Sequence, residues 1–232
     1  MFWNEEKSKK PYQAPDDIVD LTYKISCKCL PLDHAYTLSS AIHKALPWFS
    51  DDEHAGIHLI HGAESGNGWM RPDKASDELL FLSRRTKLSL RLHKDRLDDA
   101  RKLTGSSLDI ASHIIDVGET EIKPLSTQST IFSRYIISSE TETEDEFLHR
   151  VYNDLQAMGV EVNKLLCGKS NEIQGMDGNR IFTRSVMLAE LKPAHSVKVQ
   201  QVGIGAGRKM GCGLFIPHKG IAAVSEAEEE LG

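Results

Sequence analysis

Residues Ile18-Val19-Asp20-Leu21-Thr22-Tyr23-Lys24-Ile25-Ser26-Cys27-Lys28-Cys29-Leu30 place apolar side chains at partly alternate positions, the period of a half-buried strand. Pro31-Leu32-Asp33 breaks that pattern, and Asp33 is suited to cap a helix N-terminus. Beyond it Ala35, Leu38, Ala41, Ile42, Ala45 and Leu46 recur at helical spacing until Pro47. A short strand follows at Ile57–Ile60, closed by Gly62, and residues 63–77 read as a loop holding Gly66, Gly68 and Pro72. Leu79 to Leu92 reads as two strands about a turn at Ser83-Arg84-Arg85-Thr86. Lys94 to Leu103 is helix-like, and Leu108 to Val117 returns as an extended segment. The order is β-α-β-β-α-β, the ferredoxin-like or RRM-like unit.

The second half reads as a variant of the same unit. A strand over Thr130–Ser138 leads through the acidic stretch 140–146 into a helix with Phe147, Val151, Leu155 and Met158 on one stripe, closed by Gly159. Val160–Leu166 is extended, Gly168–Gly178 reads as a loop, and Ile181–Leu191 as a strand. Residues 196–202 fit either a helix or a strand. The expected fold class is α+β, two tandem ferredoxin-like domains over 18–118 and 119–217. A loose leader, 1–17, and an acidic tail, 218–232, flank them.

The chain has 232 residues and a formal charge of −6, from 28 Lys and Arg against 34 Asp and Glu. That balance excludes a protein that coats nucleic acid indiscriminately. The charge is unevenly spread, however. The tail 220–232 holds four Glu and no cation, and the 140–146 stretch adds five acids. Residues 84–102 hold eight Lys or Arg against three Asp, and residues 164–219 nine against three acids. Lys87, Ser89 and Arg91 share one strand face, with Leu88, Leu90 and Leu92 on the other. These segments offer a confined basic surface, with Arg84, Arg85, Lys87 and Arg91 as its candidates for binding a phosphate backbone. No RNP-type aromatic pair stands on the strands, so recognition by shape and phosphate is expected.

The four cysteines, Cys27, Cys29, Cys167 and Cys212, lack zinc-site spacing and read as free thiols of a reduced compartment. No apolar run approaches a membrane span, and the N-terminus lacks the apolar core of a signal peptide. A cytoplasmic protein without metal or other cofactor is the expectation.

Near the C-terminus, Gly203-Ile204-Gly205-Ala206-Gly207-Arg208-Lys209-Met210-Gly211-Cys212-Gly213 sets five glycines around two cations. Successive backbone N–H groups beside cations can cradle an anion, and phosphate is the obvious guest. A strand follows the loop where a dinucleotide fingerprint would open a helix, and no Gly-Lys-Ser/Thr completes a Walker motif.

This loop resembles the C-terminal glycine-rich loop of the RAMP proteins of CRISPR systems. Together with Asp33-His34-Ala35-Tyr36 and Gly211-Cys212-Gly213-Leu214-Phe215-Ile216-Pro217, it is similar to the compact form of the CRISPR-associated precursor-crRNA endoribonuclease, the sixth Cas family. The resemblance runs from about Ile18 to Pro217. It implies metal-independent cleavage of CRISPR repeat RNA: a 2′-hydroxyl attacks the adjacent phosphate, leaving a 2′,3′-cyclic phosphate and a 5′-hydroxyl. It implies repeat stem-loop RNA and mature crRNA as partners, with a Cascade-like effector complex as a further candidate. The alternative is a non-catalytic RNA-binding RAMP subunit of such a complex.

Ten histidines compete for the acid–base work, which suits imidazole because its ordinary pKa lies near working pH. His34 carries over from the family motif and stands at a helix mouth, so it ranks first. His43 is nine residues on, about 900° around the helix and on its opposite side, and ranks second. Tyr36 is a weaker candidate, placed to orient the scissile region. His54, His58 and His61 form a spaced trio whose strand alternation argues against one joint metal site.

Overall fold

The structure, a computed structural model, describes residues 12–61 and 79–218. The leader before residue 12, the expected loop over 63–77 and the tail from residue 219 lie outside the described residues.

In chain order the elements are β1 (Ile18–Ser26), β2 (Cys29–Pro31), α1 (Ala35–Ala45), β3 (Gly56–His58), β4 (Leu79–Phe81), β5 (Lys87–His93), α2 (Leu97–Ala100), β6 (Ser107–Ile110) and β7 (His113–Pro124). The second half follows with β8 (Ile131–Ile137), α3 (Glu144–Ala157), β9 (Lys164–Gln174), β10 (Arg180–Ala189), α4 (Pro193–Val202) and β11 (Ile216–Pro217). The result is a mixed α/β fold built on antiparallel sheets. The first runs β3-β5-β1-β7-β6 and the second β11-β8-β10-β9, with β2 and β4 forming a separate two-stranded ribbon.

Register in the first sheet explains its two faces. Leu21 pairs with Leu90 and Tyr23 with Leu88, so these side chains share the buried face with Leu38 and Ile42 of α1. The buried Tyr23 hydroxyl donates to Ala100 O at 2.8 Å, which satisfies its polar end inside that core. The opposite face carries Asp20 paired with Arg91, and Thr22 with Ser89. In the second sheet, Phe147, Val151 and Leu155 of α3 cover Ile131, Val186 and Leu188. Thr143 and Glu146 form a reciprocal capping box at the start of α3, so the acidic stretch does open a helix.

Several boundaries differ from the sequence reading. The strand expected over 18–30 breaks after Ser26, and Cys29–Pro31 pairs with β4 instead. The segment 108–117 is a hairpin rather than one strand, turning at Ala111 and Ser112, both with positive φ. β7 then continues in the first sheet to Pro124, past the boundary expected at residue 118. Gly168–Gln174 is no loop: it extends β9 along β10 in a long hairpin. Residues 196–202 are helical.

The halves meet through the polar face of the first sheet. Arg91 is fully buried. It pairs with Asp20 through Nε–Oδ1 at 2.8 Å and Nη2–Oδ2 at 2.9 Å, while its Nη1 donates to Gln200 O and Phe215 O, both at 2.9 Å. His58 Nε2 lies 3.1 Å from the same aspartate. Burial opposes the Asp20 charge, yet Arg91 and His58 outweigh it and hold the carboxyl far below the usual range. Arg91 therefore ties the halves together and has no surface to offer RNA; alternation identifies its face but not what covers that face.

Candidate active site

At the seam between the halves, α1 faces β8, β9 and the glycine-rich loop. Asp33, His34, Leu59, His61, Tyr135 and Ile173 line a narrow cleft there. Asp33 does not cap α1; His34 occupies that position and makes no side-chain cap bond. Asp33 Oδ2 instead accepts from Gln174 N at 2.8 Å, fastening the β9–β10 hairpin beside the helix mouth. The His61 ring stacks on Tyr135, centroids 6.3 Å apart and 24° between planes, a pairing that neither residue's sequence context announces.

His34 is 2% exposed. Its Nδ1 donates to Pro31 O at 2.9 Å, and its Nε2 accepts from Ile60 N at 3.2 Å. Both partners are backbone groups with one possible role each, so the ring is held as the neutral Nδ1–H tautomer. Tyr36 is half-buried on the first turn of α1.

His43 stands differently. It is half-buried, its Nδ1 donates to Ser39 O at 2.6 Å, and its ring meets Phe49 edge-on with centroids 5.6 Å apart. Its Nε2 makes no hydrogen bond among the described residues, so it presents a lone pair. The turn Arg208–Met210 packs against α1, and Lys209 Nζ donates to Ser50 O, next to Phe49.

The glycine-rich loop is held by its own backbone, by β8 and by the first half. Ile204 N donates to Gly213 O at 3.1 Å and Gly213 N to Tyr135 O at 2.7 Å. Gly213 has φ +69°, and a Cβ there would lie 2.2 Å from Ile204 O. Gly203 has φ +74°, and a Cβ there would lie 2.6 Å from Gly213 O. Gly207 and Gly211 are left-handed caps of the Arg208–Met210 turn, and Gly205 forms the exposed crest with Ala206. The two cations expected beside an anion nest turn inward. Arg208 donates to Val202 O and His54 O, and Lys209 to Ser50 O. Burial, then the nearby Arg91 charge, lowers Arg208 to about 10, so it stays charged at neutral pH. The loop's positive charge thus works first as an anchor between halves.

Of the basic strand candidates, Lys87 is half-buried and paired with Glu121 at 2.7 Å. Arg84 and Arg85 are exposed on the turn before β5. His54, His58 and His61 part company, toward Glu53, Asp20 and Tyr135 respectively. Among the described residues no three His, Cys, Asp or Glu side chains converge as metal ligands, and all four cysteines are free thiols. No helix among them is long and apolar enough to cross a membrane.

The family model described as Cas6 Crispr matches residues 19–220, spanning both sheets, the cleft and the loop. The chain belongs to the Cas6 family. A CRISPR-associated endonuclease Cas6 of Myxococcus xanthus (strain DK1622) is 29% identical over 199 residues, covering 86% of this chain and 81% of that one. Among solved structures, a CRISPR associated protein Cas6 superposes with a TM-score of 0.61 at 14% identity, covering 87% of this chain and all of that one. A structure described as a RAMP protein binding different RNA substrates gives 0.57 at 14% identity over the same shares. These last two carry the fold: this Cas6 chain shares its architecture with them.

Proposed function

We propose that this Cas6 protein is an endoribonuclease that binds CRISPR repeat RNA and cuts precursor crRNA at the seam beside α1. Each half is read as a ferredoxin-like unit. The strand order β7-β1-β5-β3 in the first sheet and β11-β8-β10-β9 in the second supports that reading, since each sets the fourth strand beside the first.

The chemistry needs no cofactor on this reading. A base takes the proton from a ribose 2′-hydroxyl, the O2′–P bond forms, and the P–O5′ bond breaks as an acid gives the leaving oxygen its proton. A 2′,3′-cyclic phosphate and a 5′-hydroxyl remain. His43 is our choice for proton transfer, ahead of His34. The supporting observation is that Ser39 O fixes the proton on Nδ1 and leaves Nε2 as a part-exposed acceptor. His34, buried with both ring nitrogens bonded, is read as a positioning residue that holds the β2–α1 corner against Ile60. Tyr36 remains a neighbour of the helix mouth with no assigned step.

Arg84 and Arg85 are assigned to phosphate contact, as is the Gly205-Ala206 crest through its backbone. The partners are the repeat stem-loop and the mature crRNA it becomes, with a Cascade-like effector complex proposed beyond them. The test is incubation with cognate repeat RNA in EDTA. Cleavage with cyclic-phosphate ends is expected, abolished by a 2′-deoxy nucleotide just upstream of the cut. Cleavage of the deoxy substrate overturns the mechanism, and tight binding of a repeat that stays intact makes the chain a non-catalytic RNA-binding subunit.

A further inference from the structure

The β2–β4 ribbon presents an apolar outer face that no part of the cleavage chemistry uses. Phe81 is 67% exposed and Leu79 45%, whereas Leu80 between them is buried and lines the cleft. Alternation therefore turns Leu79 and Phe81 outward together. Phe81 pairs with Cys29 and Leu79 with Pro31, whose carbonyl is the acceptor for His34 Nδ1. The ribbon is thus joined directly to the mouth of α1. His43 lies eight residues along that helix from Ala35, about 12 Å away.

The Phe81 end of this face is cationic, whereas Asp77 and Glu78 precede Leu79 in the chain. Lys28 and Arg84 and Arg85 are exposed where the ribbon ends, and Leu82 N donates to Lys28 O, which closes the ribbon beside both arginines. Between Phe81 and Thr86 the chain holds Arg84 and Arg85 and no acid, while Lys87 beyond them is paired with Glu121. An exposed aromatic flanked by cations is poorly matched to an apolar protein partner. It is well matched to a nucleotide, which brings a flat base and an anion together.

We propose that the Phe81–Leu79 face is a stacking platform for an unpaired base of the RNA substrate, with Arg84 and Arg85 holding the adjoining phosphates. This rests on the RNA-cleavage reading and adds to it a specific single-stranded contact at the mouth of α1, about 12 Å along the helix from His43. It departs from the expectation of recognition by shape alone, because the platform is one aromatic on a two-stranded ribbon and not an RNP-type pair on a sheet.

The experiment uses the full chain and a repeat RNA made uncleavable by a 2′-deoxy nucleotide, with 2-aminopurine scanned through its unpaired positions. In the wild type one position is expected to lose fluorescence on binding. Phe81→Ala should abolish that quenching and weaken binding roughly 5–100-fold. Phe81→Trp should keep both. Arg84→Ser with Arg85→Ser should flatten the salt dependence, by about 0.7 in log–log slope for each phosphate that the variant no longer neutralises. Wild-type affinity and quenching in Phe81→Ala overturn the proposal, as does a Phe81→Ala change confined to self-association measured by sedimentation. Cleavage of the unmodified repeat is followed in parallel. If the wild type binds but does not cut, the nuclease reading fails while the Phe81 comparison still decides the platform; if it binds no RNA, both fail.

Discussion

Arg91 and Asp20 form a two-pronged ion pair inside the seam, and the same guanidinium holds the carbonyls of Gln200 and Phe215 on either side of the glycine-rich loop. One side chain of the first sheet thus fixes where the loop starts and ends. Removing Asp20 strands the fully buried Arg91 charge, and removing Arg91 leaves Asp20 with His58 alone, so the cost is about 3–5 kcal/mol for the first and at the lower end of that range for the second. Asp20→Leu and Arg91→Met should reduce the unfolding free energy in urea accordingly. The double variant should recover part of the loss, because no charge stays unpaired, while the two carbonyls still lack a donor. Additive losses in a double-mutant cycle would show that the pair does not act as a unit.

Loop geometry leads to a second expectation. Gly213 and Gly105 both have positive φ, +69° and +82°, but a Cβ on Gly213 meets Ile204 O at 2.2 Å and one on Gly105 meets nothing within 4 Å. Gly105→Ala should carry only the left-handed backbone cost, about 1–2 kcal/mol. Gly213→Ala adds a displacement of Ile204 that cannot be relieved by a side-chain rotation. It should be clearly less stable in thermal unfolding and should also weaken RNA binding. Equal losses for both variants would mean the loop yields freely.

Much of this architecture is legible in the sequence because alternation and helical spacing report burial directly. Leu88, Leu90 and Leu92 face one core, and Phe147, Val151 and Leu155 another. What escapes the pattern has physical causes. Gly168 to Asn171 is polar because it lies in an exposed hairpin held by ladder hydrogen bonds, which need no apolar side chain. The turn between β6 and β7 uses Ala111 and Ser112 at positive φ, without the glycine that normally marks such a turn. Arg91 reads as surface because a polar strand face usually is one; only the docking of the second half buries it. A motif alone ranks His34 above His43, whereas the hydrogen-bond partners that separate the two are carbonyls and amides invisible to side-chain identity.

Acid should loosen the second half through Glu142. The Arg150 guanidinium bonds its carboxylate, with Nε–Oε1 at 2.8 Å and Nη2–Oε2 at 2.9 Å, and lowers its pKa from 4.5 to about 2 despite burial. A depressed carboxylate contributes stability that is complete above the unfolded value and is lost as pH falls toward the folded one. Stability should therefore decline between about pH 4.5 and 2. Glu142→Gln should cost roughly 1.5–3 kcal/mol at pH 7 and show a shallower decline in that window. An unchanged slope in denaturant titrations across it would assign acid sensitivity elsewhere.

The two helix histidines should separate cleanly by readout. His43 bonds through Nδ1 to Ser39 O and is half-exposed, so His43→Ala should leave unfolding and repeat affinity near wild type. Loss of a positioned proton-transfer group should slow single-turnover cleavage about 10²–10⁴-fold. His34 is different because its ring links Pro31 O to Ile60 N inside the cleft. His34→Ala leaves a buried carbonyl and a buried amide without partners, at roughly 1–3 kcal/mol for each. It should lower the melting temperature first and slow cleavage in proportion to the disturbed α1 corner. His34→Asn, which can keep the bond to Pro31 O, should restore part of the stability and part of the rate together. A His34→Asn protein that is fully stable yet inactive, beside a His43→Ala protein that still cuts, would move the proton-transfer role back to His34.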